Sequence, residues 1–167
     1  GGLRMKDHDQ RVDVLVEHRR RIDQALIDLR TRYPYQFPES LPLYMFEPEP
    51  GWVPLIEALC HNVDRILPPE LRQTFAWRQI KEKFGTLRAY WSFGPQHFDI
   101  QPGSGVISGQ IARKRPSSYE SAWEAIEAAI RVAKQQSAQT CGACGAPGRH
   151  RSGDWQRTLC DRHAADQ

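Results

Sequence analysis

The sequence predicts an α+β protein, with three helices packed on a β-hairpin or small antiparallel sheet and a C-terminal treble-clef-like zinc module. Three observations carry this. Apolar residues recur at helical spacing in three separate segments, the period switches to two within residues 74–93, and Cys and His pair up after residue 140.

The first helix spans 8–32. Val12, Leu15, Ile22, Leu26 and Leu29 recur at helical spacing, and Arg, Asp and Glu fill the other faces. Tyr33-Pro34 ends it, because proline pushes the preceding residue out of the α region. Residues 34–51 contain Pro34, Pro38, Pro42, Pro48 and Pro50, which exclude a regular helix or a central strand. Tyr35, Phe37, Leu41, Leu43, Tyr44 and Phe46 lie in the same stretch, so it is expected to pack against the body as an irregular connector. An aromatic, acidic contact surface is its sharper reading.

The second helix spans 52–67. Trp52, Leu55, Ile56, Leu59, Val63, Ile66 and Leu67 form one stripe, and Cys60 lies on it as a core cysteine. In the hairpin over 74–93, Leu87, Ala89, Trp91 and Phe93 alternate with Arg88, Tyr90 and Ser92. Phe75, Trp77 and Ile80 mark the partner strand with one slip of parity, hence a bulge, and Gly85 falls at the turn. Residues 94–116 are rich in Gly and Pro, with a short strand possible at 106–111. Ser117-x-x-Glu120 then reads as a capping box for a third helix over 117–136, burying Tyr119, Trp123, Ile126, Ile130 and Ala133.

Residues 5–137 form the expected α+β body and 138–167 the zinc module; Gly1 to Arg4 read as an added leader ahead of Met5. A chain of 167 residues, 40% hydrophobic and 26% charged, is long and apolar enough to bury a core, which excludes a disordered class. No apolar run suggests a membrane span or a signal peptide. Three of the four cysteines cluster near the C-terminus, which favours a metal in a reduced compartment over a disulfide framework; the expected location is cytoplasmic.

The zinc ligands are expected to be Cys141, Cys144, Cys160 and His163. In Cys141-x2-Cys144 and Cys160-x2-His163, two intervening residues let a tight turn aim both side chains at one ion. Four such ligands close the coordination shell, as structural rather than catalytic zinc sites do. His150 competes with His163, but Cys160-x2-His163 mirrors the first pair and is favoured. A knuckle, a hairpin over 149–158 and a terminal helix starting near Cys160 would give a treble-clef arrangement, with Trp155 covering the site. Three thiolates, a neutral imidazole and Zn²⁺ leave one negative charge, which nearly offsets the basic excess of the module.

Net charge is +3, too small to imply nucleic acid by itself. Its distribution is zoned. Residues 33–64 carry Glu39, Glu47, Glu49, Glu57 and Asp64 with no Lys or Arg, whereas residues 65–88 carry Arg65, Arg72, Arg78, Lys81, Lys83 and Arg88 against Glu70 and Glu82, and Arg113-Lys114-Arg115 adds a second basic run. His-Glu-x-x-His and the zinc-deaminase pattern are absent, and Gly105-Val-Ile-Ser108-Gly109 misses the nucleophile elbow by one position. Gly103-x-Gly105 follows no βα unit, and Cys60 and His61 point about 100° apart on a helix. An enzyme is the minority reading.

The chain resembles a group of small bacterial and phage-associated proteins with a C-terminal treble-clef-like zinc-binding segment. The resemblance lies in Gly51-Trp52-x-x-Leu55-Ile56-x-x-Leu59-Cys60, in Gln79-Ile80-Lys81-Glu82-Lys83-Phe84-Gly85-Thr86-Leu87-Arg88-x-Tyr90, and in Thr158-Leu159-Cys160-Asp161. It covers roughly residues 51–163 and leaves the first helix outside. The tail departs from it in having His163 where a fourth Cys would also serve. The resemblance implies a fold rather than an activity. The expected function is a protein-binding module, such as an immunity protein that inhibits a bacterial toxin or a phage accessory factor. Its partner would meet Glu47 and Glu49, or Arg78, Lys81, Lys83 and Arg88. The alternative is nucleic-acid binding by the basic aromatic hairpin over 77–91.

Overall fold

The computed structural model describes residues 2–94 and 115–167, with side chains from residue 6 onward. The strand considered at 106–111, the Gly103-x-Gly105 stretch, the Gly105–Gly109 pattern and Arg113-Lys114 lie outside the described residues. Along the chain run α1 (Gly2–Arg32), β1 (Phe46–Glu47), α2 (Val53–Ile66), α3 (Pro69–Arg72), β2 (Phe75–Lys83), β3 (Thr86–Phe93), α4 (Tyr119–Ser137), β4 (Arg149–Arg151), β5 (Arg157–Leu159) and α5 (Asp161–Ala165). The molecule is mixed α+β, and no helix among the described residues is long and apolar enough to cross a membrane.

The hairpin forms with its slip where the parity places it. Phe75 pairs with Phe93 and Trp77 with Trp91, the register shifts between Trp77 and Gln79, and Ile80 then pairs with Ala89. The extra residue turns Trp77 and Ile80, three positions apart, onto the same buried face. Phe84 and Gly85 make the turn with φ of 53° and 80°. Positive φ at both central residues matches the twist of the flanking strands. Glu82 Oε1 accepts the Gly85 N–H at 2.8 Å and holds the bulky Phe84 in this conformation.

The sheet differs from the expected antiparallel one. β1 joins the free edge of β2 in parallel, pairing Phe46 with Ile80 and Glu47 with Lys81, in the order β1-β2-β3. A two-residue strand has no period to detect, and Pro42 and Pro48 confine the segment to an edge. The four-residue α3, behind Pro68, is likewise an addition to the three expected long helices.

α2 and α4 cover the inner face of the sheet. Trp52, Ile56, Leu59, Val63 and Ile126 meet Phe75, Trp77, Ile80 and Leu87 in one core. Trp91 stacks on Phe75 at 5.4 Å, lies 4.5 Å from Trp123, and donates its indole N–H to Glu127 at 2.8 Å. The connector packs into this core through Phe37, Leu41 and Phe46. It also supplies Gln36, whose fully buried amide donates to Cys60 O and Tyr35 Oη, and whose oxygen accepts the Trp77 indole N–H, each at 3.0 Å. Tyr35 donates onward to Asp64 at 2.7 Å. Every polar end of this network is thereby matched, as burial requires. Cys60 is a core cysteine whose thiol burial pushes far up, so it stays a neutral packing group.

Three local expectations are corrected. Only the second half of α1 is packed: Ile22, Leu26 and Leu29 are buried, whereas Val12 is exposed and Leu15 is 66% exposed, because the helix runs past the body it lies on. The capping box does not form. Ser118 occupies the N-cap and makes no side-chain cap bond; its hydroxyl donates to Glu70 at 3.0 Å, and Glu120 accepts from Arg115. Trp123 is half-exposed rather than buried, since it caps the end of the aromatic cluster.

This division of α1 predicts a contrast. Leu26→Ala is expected to cost about 2–5 kcal/mol, whereas Leu15→Ala stays within about 0.5 kcal/mol, as read from urea unfolding of each variant.

Candidate metal centre

The cluster is assembled by two turns held in register. After α4, Cys141 N–H donates to Ala146 O at 2.7 Å and Gly145 N–H to Cys141 O at 2.8 Å, which folds 141–146 into a knuckle and turns both sulfurs the same way. β4 and β5 then form a ribbon pairing Arg149 with Leu159, His150 with Thr158 and Arg151 with Arg157. The ribbon returns the chain to Cys160, the N-cap of α5, and His163 lies one turn into that helix. Gly142 N–H donates to Thr158 O at 2.9 Å and ties the knuckle to the ribbon.

These turns bring the sulfurs of Cys141, Cys144 and Cys160 and a ring nitrogen of His163 within 4.8 Å of one another, an arrangement compatible with a metal site. Cys141 Sγ lies 3.7 Å from His163 Nδ1, Cys144 Sγ 3.9 Å from Cys160 Sγ, and Cys160 Sγ 3.2 Å from His163 Nδ1. Burial pushes the Cys141 thiol up, but the backbone N–H groups of Cys160, Cys144 and Ala143 outweigh it and bring the thiol down to about 6. At Cys144 the Ala146 N–H pulls down, while burial and the neighbouring sulfurs push the thiol up further. Adjacent sulfurs thus resist ionising together, and a bound cation would relieve that repulsion.

His150 lies outside the cluster, its Nε2 3.2 Å from Gln156 Oε1. Trp155 corrects the expectation that it covers the site: it sits in the loop between β4 and β5 and is 72% exposed.

The module is locked onto the body at three points. Gly51 N–H donates to Gly142 O at 2.6 Å, and a Cβ on Gly51 would fall 2.6 Å from Gly145 N, so only glycine lets the two backbones meet. Beside it, the Trp52 indole donates to Thr140 O at 2.9 Å. Glu49 and Arg157 form a bidentate pair, Nε to Oε1 at 3.1 Å and Nη2 to Oε2 at 2.9 Å, with both side chains largely shielded. At the hairpin turn, the Thr158 hydroxyl donates to Gly85 O at 2.6 Å; next to it, within the body, Leu87 N–H donates to Ser137 Oγ at the end of α4 at 2.8 Å. α1 also passes here: burial, outweighing the pull of Glu49, holds the His18 imidazole below its ordinary value, and Arg157 and His163 are close enough to add to that.

These lock residues carry no ligand signature, so spacing rules pass over them. In the fold Gly51, Trp52, Gly85 and Thr158 are contacts between module and body.

The residues expected to meet a partner are distributed unevenly. The Glu49 carboxylate is held inside the molecule by Arg157. Glu47 is exposed, 3.6 Å from Arg19. Lys81 and Arg88 pair across the hairpin, and the ammonium groups of Lys81 and Lys83 lie 5.9 and 5.4 Å from the ring centres of Tyr90 and Phe84. Arg78 donates to Ser92 Oγ at 2.6 Å. Arg88 Nε is shielded and has no acceptor among the described residues.

No family model, curated protein or solved structure matches the chain.

Two outcomes are expected at the junction. Gly51→Ala should lower unfolding free energy by at least about 2 kcal/mol, since backbone rather than a mobile side chain opposes the new methyl. A double-mutant cycle of Glu49→Ala and Arg157→Ala should give a coupling of about 1 kcal/mol, reduced from a fully buried pair by the remaining solvent access.

Proposed function

We propose that Cys141, Cys144, Cys160 and His163 hold one structural zinc ion in a treble-clef-like module, and that the chain acts as a protein-binding module. The spacing of the donors supports the metal. Tetrahedral zinc with bonds of about 2.3 Å to sulfur and about 2.05 Å to nitrogen sets ligand atoms about 3.8 Å apart for sulfur pairs and about 3.6 Å apart for sulfur and nitrogen. Three of the six separations are 3.9, 3.7 and 3.2 Å, within about 0.4 Å of those values, and all four ligand atoms lie within 4.8 Å of one another. All four positions are protein ligands, which suits a structural role. Bound zinc would supply the stability that so short a segment cannot draw from its own core of Cys141, Ala143 and Leu159.

The protein-binding reading rests on α1. Leu15 lies on the line of Ile22, Leu26 and Leu29, and Val12 and Val16 flank it at helical spacing, yet all three are exposed where the helix extends past the body. An apolar line that continues beyond its own core is suited to a second surface, and a toxin or a host factor is the class of partner that such a small module would engage.

Zinc should be found at one equivalent per chain by elemental analysis, and chelation or Cys160→Ala should release it and lower the melting temperature by several degrees. A full melting temperature in the zinc-free protein would overturn the structural role. Capture from host extract with the wild-type chain should retain a stoichiometric protein that Leu15→Asp with Val16→Asp fails to retain. Identical captures would remove α1 as the contact.

A further inference from the structure

We propose that the solvent-facing side of the β2–β3 hairpin, extended by the β4–β5 ribbon, is a binding face for single-stranded nucleic acid. This is independent of the protein-binding reading, which uses α1.

Two observations of the fold carry it beyond the basic aromatic pattern of the sequence. The first is uncompensated charge. Arg78, Lys81, Lys83 and Arg88 project from the side of the hairpin opposite the buried Ile80 and Leu87, and none forms an ion pair among the described residues. The nearby carboxylates are committed elsewhere. Glu47, beside Lys81 in register, faces Arg19; Glu82 caps the Gly85 N–H; Glu49 is bound by Arg157. A face of four cations without acidic partners is complementary to a phosphate backbone.

The second observation is the sorting of the aromatic residues. Trp77 is fully buried and Trp91 is packed on Phe75 and Trp123, so neither serves a ligand. Tyr90 and Phe84 point outward, 47% and 62% exposed, each with a lysine ammonium beside its ring. The fold also brings a segment distant in sequence to the turn. His150 Cδ2 would lie 3.2 Å from a Cβ on Gly85, and the ribbon that carries this exposed imidazole also presents Arg149 and Trp155. Asp161, at the start of α5, pairs with Arg151 at 2.7 Å and with Arg149 at 3.9 Å, and Asp154 is exposed in the ribbon loop.

Exposed rings interleaved with cations form a stacking platform for unpaired bases, whose π-faces are inaccessible inside a duplex. An acidic protein would also answer the charge, but it would leave Tyr90 and Phe84 without a stacking partner.

The test is fluorescence anisotropy of the zinc-loaded full chain with fluorescein-labelled oligothymidylate and oligouridylate of about 20 nucleotides. Binding is expected at about 50 mM salt, weakening with a log–log slope near −3 as four cations displace counterions. Lys81→Glu with Arg88→Glu, and the milder Lys81→Gln with Arg88→Gln, should each weaken it by at least about tenfold, and Tyr90→Ala by about tenfold, with zinc content and melting temperature unchanged. Unlabelled duplex of the same length should compete more weakly. Absence of binding at low salt, or wild-type affinity in the charge variants, would overturn the proposal. So would displacement by polyglutamate matched by indifference to Tyr90→Ala, which would assign the face to an acidic protein.

Discussion

The fold depends on one close approach, that of the Gly51 backbone to the knuckle at Cys141–Gly145. At that distance no side chain fits, and the N–H of Gly51 is satisfied only by Gly142 O. Around it, the Trp52 indole and the Glu49–Arg157 pair fix the angle between α2 and the module. A few residues further on, Thr158 and Ser137 hold the hairpin turn and the first residues of β3. Three chain segments far apart in sequence are thus registered by a handful of polar contacts at one junction.

The junction also shapes the surface. Joining Glu49 to Arg157 withdraws one charge of each sign from solvent. The acidic connector is then left with Glu47 as its exposed contribution beside the sheet, while the hairpin keeps all four of its cations. The charge zones seen along the chain therefore become a basic sheet face rather than an acidic face opposed to a basic one. α1 adds a different kind of surface, apolar and overhanging, at the end of the helix remote from its buried half.

Much of this was legible in the sequence, for identifiable reasons. Long periodic segments declare themselves, so α1, α2, α4 and the hairpin with its bulge follow from spacing alone. Cys141-x2-Cys144 and Cys160-x2-His163 likewise specify a cluster because ligand geometry tolerates few spacings. What spacing cannot carry is tertiary context. Leu15 and Leu26 have the same periodicity, and only the size of the body decides which is covered. β1 and α3 are too short to have a period. Ser117-x-x-Glu120 has a capping pattern, but the helix starts one residue later with Ser118 at the N-cap, and Arg115 takes up Glu120. Trp155 has the size to shield a metal site, but the ribbon loop carries it into solvent. The junction contacts themselves left no signal, because they join backbone and side-chain groups of segments far apart in sequence.

The central claim is that the metal cluster holds the body and the module in one cooperative unit. Amide hydrogen exchange, read residue by residue with and without chelator, tests it most directly. If the claim holds, removing the metal accelerates exchange not only at Cys141, Gly142 and Gly145 but also at the Gly51 amide and the Trp52 indole, whose N–H groups are bound across the junction. If Gly51 and the Trp52 indole keep their protection while the knuckle loses its own, the cluster stabilises the module alone and the claim is wrong.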